Sequence, residues 1–248
     1  SYAGASPALM GACVERNINL AFCKPNGRFL ARVCGESNGN VLLRRMQYRV
    51  ADDIAPCCRI ARNMVFGKVY NARWSIERTL RDHPMRINES LLQNASSILQ
   101  SALIKISGAE SLESLRGLEG ETAAVYFGVL DEMILHNKSE FYFKERSRRP
   151  PWDKVNAMLS FAYALLENDC ASALEAVGLD SYVGFLHRDK PGRSSLALDL
   201  MEELRPCMAD RFVLTHINNR LIQPNDFVDR ESGAVIMTET GRKKLIKA

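Results

Sequence analysis

The chain has 248 residues, 46% apolar and 25% charged, with a net charge of +4. That length buries one large core, or a core with a small companion domain, and the mildly basic balance permits a nucleic-acid partner without requiring one. No apolar run approaches the roughly 18 residues of a membrane-spanning helix, and no signal-peptide pattern opens the chain, so no membrane association is expected. Seven cysteines, an odd count without a C-x-x-C pair, describe a reduced cytoplasmic protein with mostly buried thiols.

Ser6 stands where an N-cap belongs, and Ser6 to Asn17 reads as a short helix. INLAFC (Ile18 to Cys23) suits a buried strand, Pro25-Asn26-Gly27 a turn, and RFLARVCG a second strand. Two strands and a helix do not close a sheet, so the chain is expected to enter partway through a β-rich domain, residues 1–40. Ser1 is not a natural initiator, which also points to a fragment.

After the GESNGN segment the pattern turns helical and stays so over 41–248. Beyond Asp52-Asp53, the residues Ala61, Met64, Val65, Val69, Ala72 and Ile76 recur at helical spacing. Ile87 to Ile106 is a further helix. LEGETAAVYFGVLDEMILHN begins another, with Glu119 at its opening and Val125, Val129 and Met133 on its apolar side. The basic loop KERSRRPPWDKVN passes through Pro150-Pro151, residues that start a helix well and interrupt one badly. It leads into a run from Asn156 to Gly178, apolar on several sides and expected to be central. A small hairpin about Ser232-Gly233, near residues 226–237, precedes a basic helix start. The class is α+β: part of a β-rich domain, then a larger all-helical one.

No P-loop, G-x-G-x-x-G, G-x-S-x-G or H-E-x-x-H occurs. What remains is carboxylates, one histidine ahead of a charged loop, and basic segments. In GFLHRDKPGRSSLALDLMEELRP (Gly184 to Pro206), His187 precedes a helix carrying Asp199, Glu202 and Glu203. At about 100° per residue these acids share a stripe opposite Leu198, Met201 and Leu204. Taken singly, the stripe is a solvated acidic face, His187 a structural histidine, and Glu119 a carboxylate favouring a helix N-terminus.

Three segments change that balance. RGLEGETAAVYF, RRPPWDKVNAMLSFAYALL and GFLH…DLMEELRP, in this order, resemble the CRISPR-associated adaptation integrases, the Cas-one family. The PPWDKVN form is most similar to the subtype I-C branch. The likeness runs over nearly the whole chain and is strongest from Arg116 to Arg220. It implies a small β-rich domain joined to a helical catalytic domain with one divalent-metal site. The family's glutamate in a G-(hydrophobic)-E-G motif falls on Glu119, its metal histidine on His187, and its acid pair at i, i+3 on Asp199 and Glu202. The last of these is often Asp in the family. All four would be catalytic metal ligands, and Asn156 matches a recurrent asparagine near the site. Family members have more strands before GASPALM and continue past Ala248, so truncation at both ends is expected.

The resemblance further implies a metal-dependent endonuclease and integrase that uses Mn²⁺ or Mg²⁺. Such an enzyme acts with a Cas-two subunit, inserting spacer DNA into the CRISPR array by attack of a 3′-hydroxyl on a phosphodiester. Double-stranded and branched DNA and a second copy of the chain are the other partners. Lys144, Arg146, Arg148, Arg149, Lys190 and Arg193 are the candidate phosphate contacts. Trp152 and Tyr126 are expected to pack in the core rather than stack on bases. The rival reading is a DNA-binding scaffold of the same fold without catalysis.

Overall fold

A computed structural model of the chain describes residues 4–16, 18, 20–23, 29–35 and 40–247, with backbone alone for Cys23 and Phe29. The Pro25-Asn26-Gly27 turn and most of GESNGN lie outside these residues. Helix α1 (Pro7–Glu15) starts where Ser6 caps it, the hydroxyl accepting the Leu9 N–H at 3.2 Å. Strands β1 (Leu20–Cys23) and β2 (Phe29–Val33) pair antiparallel, Leu20 opposite Val33. This segment is not buried as its apolar letters suggested: Ile18, ahead of β1, is 55% exposed and Leu30 of β2 53%. A two-stranded ribbon has no second layer to bury a face against.

The helices that follow begin on short polar caps. Asn40 caps α2 (Val41–Asp52), Asp53 caps α3 (Ile54–Asp82), Asn88 caps α4 (Glu89–Ser107) and Ser111 caps α5 (Leu112–Gly128). Asp153, two residues beyond Pro151, caps α6 (Lys154–Ala176). Next comes α7 (Ser195–Leu204), a π-helical turn over Arg205–Asp210, and α8 (Arg211–Asn218). Strands β3 (Phe227–Asp229) and β4 (Val235–Met237) form a hairpin whose turn uses Gly233 at φ +77°, before α9 (Glu239–Lys247).

Two expectations about α5 are corrected. Glu119 is not at a helix opening but well inside α5, which starts at Leu112 after its Ser111 cap. Gly117 and Gly120, on either side of Glu119, both lie within the helix on an open side with nothing near a Cβ position. The penalty of roughly 1 kcal/mol per helical glycine is outweighed by burial of the opposite face through Leu115, Thr122 and Tyr126. The same helix ends at Gly128, and Leu130–Met133 form a separate 3₁₀ turn.

The spine of the molecule is α3, packed against α4, α5, α7 and the π turn. Its buried line is Ala61, Val65, Val69, Ala72 and Ile76, with Lys68 set among them. Helix α6 is buried along most of its length, from Val155 to Leu174. These helices bring side chains of α3, α5 and α7 together at one point. The described cysteines are unpaired, and Cys13, Cys57, Cys58 and Cys170 are buried. No helix among the described residues is long and apolar enough to cross a membrane.

Candidate active site

The acidic stripe of α7 faces inward. Asp199 is fully buried and Glu202 is 3% exposed, while Glu203 is half-buried. The stripe is thus not the solvated face that it reads as when taken singly, because the segment before α7 folds back over its first turns. Asp199 Oδ2 accepts the N–H groups of Phe185 and Leu186 at 2.6 and 2.9 Å. Its Oδ1 accepts the His187 N–H at 2.9 Å and faces His187 Nδ1 at 2.6 Å.

Glycine is required in this loop. A Cβ on Gly184 would stand 2.8 Å from both Asp199 Oδ2 and Ser195 Cβ. From α3, Cys57 Sγ donates to the Phe185 carbonyl at 3.1 Å. From α5, Arg116 donates to the Leu186 carbonyl through Nε and Nη2 at 2.9 and 2.7 Å. From α2, Gln47 donates to the Val183 carbonyl at 2.9 Å. Four helices thus hold His187. In the neutral imidazole, Nδ1–H is committed to the Asp199 carboxylate, and Nε2 is then the nitrogen free to donate its lone pair.

The other half of the site is built on Lys68. Its ammonium, on the buried face of α3, contacts Glu119 Oε1 and lies 2.6 Å from Glu202 Oε2. Arg205, one turn on from Glu202, pairs with Glu202 Oε1 at 2.9 Å. Burial opposes ionisation of Glu202, but Lys68 and Arg205, with a smaller contribution from nearby His187, hold its carboxyl below the usual range.

Do these donors suit a divalent metal? Glu119 and Glu202 offer carboxylate oxygens and His187 offers Nε2, a set that fits Mn²⁺ or Mg²⁺ in kind. A cation already bridges the two carboxylates, so the geometry attracts positive charge. Asp199 does not fit as a direct ligand here, since both its oxygens are taken by backbone N–H groups and the imidazole. Among the described residues no three acids, histidines or cysteines surround a common point closely enough to hold an ion as they stand. Lys68 fills the space between two of them.

The basic segments divide. Lys144 and Arg148 are exposed and line an open cleft of about 510 Å³ whose opposite wall includes Glu119, Gly120 and Ala123. Arg149 and Lys190 are also exposed. Arg193 is partly buried and donates to the Arg188 carbonyl. Arg146 turns inward, bonding Asn156 Oδ1 at 2.6 Å and Ser160 Oγ at 3.1 Å, with its guanidinium 5.2 Å from the Tyr163 ring. It lines the same cleft, but its guanidinium is spent on bracing the loop. Asn156 does the same from below: fully buried, it donates to the Glu145 carbonyl at 2.8 Å and accepts the Ser147 N–H at 3.0 Å. Tyr126 is buried as expected, whereas Trp152 is 59% exposed because it follows the two prolines outside the helix.

Behind Glu202 lies a buried cluster. Tyr163 donates to Asp210 Oδ1 at 2.5 Å, and Arg205 stacks 5.0 Å from the Tyr163 ring. Burial pushes the Asp210 carboxyl from 3.8 up to about 6, against the opposing pull of Tyr163 and Arg205. A carboxyl whose folded pKa is raised costs nothing below the unfolded value, where it is protonated in both states. Stability is then lost as pH rises through the folded value. Across that window Asp210→Asn is expected to gain on the parent by on the order of 2–3 kcal/mol between pH 4 and pH 7. Urea unfolding of both proteins at the two pH values reads this directly, and a pH-independent difference contradicts it.

Lys68, Arg116, Arg205 and Asp210 are not among the residues that the sequence singled out. One signal existed for Lys68: it interrupts the apolar line of α3 between Val65 and Val69, where a lysine demands a buried partner.

A family model described as "CRISPR associated protein Cas1" matches residues 1–248. The "CRISPR-associated endonuclease Cas1 1" of Chlorobaculum tepidum is 46% identical over 243 residues, covering 98% of this chain and 71% of the relative. The "CRISPR-associated endonuclease Cas1 2" of Rhodospirillum rubrum is 48% identical over 247 residues, with the same 98% and 71% coverage. A solved structure of a casposase bound to integration product superposes with a TM-score of 0.81 at 25% identity, over 98% of this chain and 65% of that one.

Proposed function

This chain belongs to the CRISPR-associated Cas1 family, and from that premise we propose that it is a divalent-metal-dependent DNA endonuclease and integrase. Its reaction is insertion of spacer DNA into the CRISPR array by transesterification. The observation that carries this reading is the meeting of Glu119 and Glu202 on a single cation, the Lys68 ammonium, at the wall of a cleft edged by Lys144 and Arg148, with His187 near enough to Glu202 to help hold its carboxyl low.

In this reading Glu119, Glu202 and His187 Nε2 hold Mn²⁺ or Mg²⁺, and Asp199 fixes the imidazole. The bound ion supplies Lewis acidity and lowers the pKa of an attacking hydroxyl. Imidazole in the set tilts the preference towards Mn²⁺. Lys144 and Arg148 seat the phosphodiester backbone so that the scissile phosphate lies against Glu119. Double-stranded and branched DNA are the substrates and a Cas-two subunit the partner. Ile18, Leu30, Leu42 and Met46, each more than half exposed, are apolar side chains available to a second copy.

Fluorescence anisotropy on a branched duplex tests the cleft. Lys144→Ala with Arg148→Ala is expected to lower the slope of log K against log salt by about 2, one lost phosphate contact for each side chain. Mn²⁺ binding by the same protein should not change. An unaltered slope places the DNA elsewhere. Binding of branched DNA without strand transfer in Mn²⁺ favours the non-catalytic scaffold, for which the Lys68 bridge is the specific structural support.

A further inference from the structure

We propose that Lys68 is a positioning residue with two seats: between Glu119 and Glu202 when the site holds no divalent ion, and in the cavity beside Asp210 when it does. The proposal rests on the metal reading above and names how the site survives without its ion.

The first seat follows from charge. Glu119 on α5 and Glu202 on α7 converge on one point, and Glu202 is almost fully buried. Like charges in that setting repel strongly, so something cationic holds them together in the empty state. The Lys68 ammonium does so, with Arg205 on the far oxygen of Glu202.

A divalent ion gripped by these carboxylates would take the place of the Lys68 ammonium. Two cations a few ångströms apart in a protein interior repel strongly, so Nζ has to move. Its stem lies in the buried face of α3 and Lys68 is only 8% exposed, which makes a swing into open solvent difficult.

The structure offers an alternative. A cavity of about 20 Å³ adjoins Lys68, lined also by Tyr126, Tyr163, Arg205 and Asp210. That is room for one water-sized group, which an ammonium is. Its acceptors suit three N–H donors. Asp210 is a buried carboxylate bonded by Tyr163 on Oδ1. The Tyr126 hydroxyl is buried with no hydrogen-bond partner of good geometry. Asp210 ends the π-helical turn that follows α7, an irregularity found more often at functional sites than elsewhere. The second seat explains why a fold would keep a buried carboxylate there, beside a hydroxyl that lacks a hydrogen bond of good geometry.

Calorimetric titration with Mn²⁺ alone, on the chain and three variants, tests both seats. Lys68→Met keeps the stem and removes the competing charge, and is expected to bind Mn²⁺ about tenfold more tightly. Asp210→Asn weakens the second seat and is expected to bind about tenfold less tightly. In the Lys68→Met background, Asp210→Asn should change nothing, because the lysine that needed the seat is gone. Lys68→Gln replaces Lys68→Met if circular dichroism shows the latter misfolded. Unchanged or weaker Mn²⁺ binding without Lys68 overturns the proposal. Equal weakening by Asp210→Asn in both backgrounds overturns the second seat. If neither the parent nor the lysine variant binds Mn²⁺, the metal reading itself fails, an outcome distinct from the other two.

Discussion

Replacing His187 by alanine is expected to lower strand cleavage and joining by roughly 100- to 1000-fold or more, while duplex binding stays near the parent level. The expectation comes from how the imidazole is held. Nδ1 is bonded to Asp199, and Nε2 is the atom left to meet a metal. The side chain is 29% exposed, and the His187 N–H still bonds Asp199 when the ring is removed, so the loop should persist. His187→Asn sharpens the test. Its amide nitrogen can take the place of Nδ1 against Asp199, but nothing replaces Nε2. Equal loss in the two variants, assayed with the partner subunit and branched DNA in Mn²⁺, assigns the role to Nε2. Activity retained by His187→Asn would show that orientation, not ligation, is what His187 contributes.

Asp199→Asn has the second large effect, and it appears in stability. The carboxylate is fully buried and receives three backbone N–H groups and the imidazole. An amide turns one acceptor oxygen into a donor pointed at other donors, leaving buried N–H groups unpaired. The expected loss is about 3–5 kcal/mol, measured by urea unfolding. Glu119→Gln, at a side chain 28% exposed, is expected to stay within about 1 kcal/mol of the parent. A neutral Asp199→Asn that nonetheless abolishes Mn²⁺ binding would make Asp199 a ligand instead of the residue that orients one.

These two residues show where sequence reasoning was adequate. The i, i+3 spacing of Asp199 and Glu202 puts both on one side of α7, and the glycine of GFLH stands where the backbone passes Asp199. Both are local consequences of helix period and loop geometry. The division of labour between them was not local. Asp199 serves the loop before it, Glu202 serves α3, and only the packed structure tells the two apart.

The basic loop gives the same lesson at longer range. Lys144, Arg146 and Arg148 look equivalent as letters. Arg146 turns under α6 because Asn156, Ser160 and the Tyr163 ring offer it a full set of partners. Lys144 and Arg148 find none there and remain at the cleft.

By itself, then, the sequence determined the helical cap at Ser6, the start of a long helix after Asp52-Asp53, the apolar lines that become α3 and α6, and the order of segments that marks the family. All of these depend on neighbours within a few residues, where spacing alone carries the physics. Only the tertiary structure decided that the acidic stripe faces inward, that Glu119 lies mid-helix despite two glycines, and that Lys68 joins Glu119 to Glu202. Those outcomes rest on charges from separate helices meeting in a buried space. The energy of such a meeting is set by distance and burial, and neither is written in any one segment of the chain.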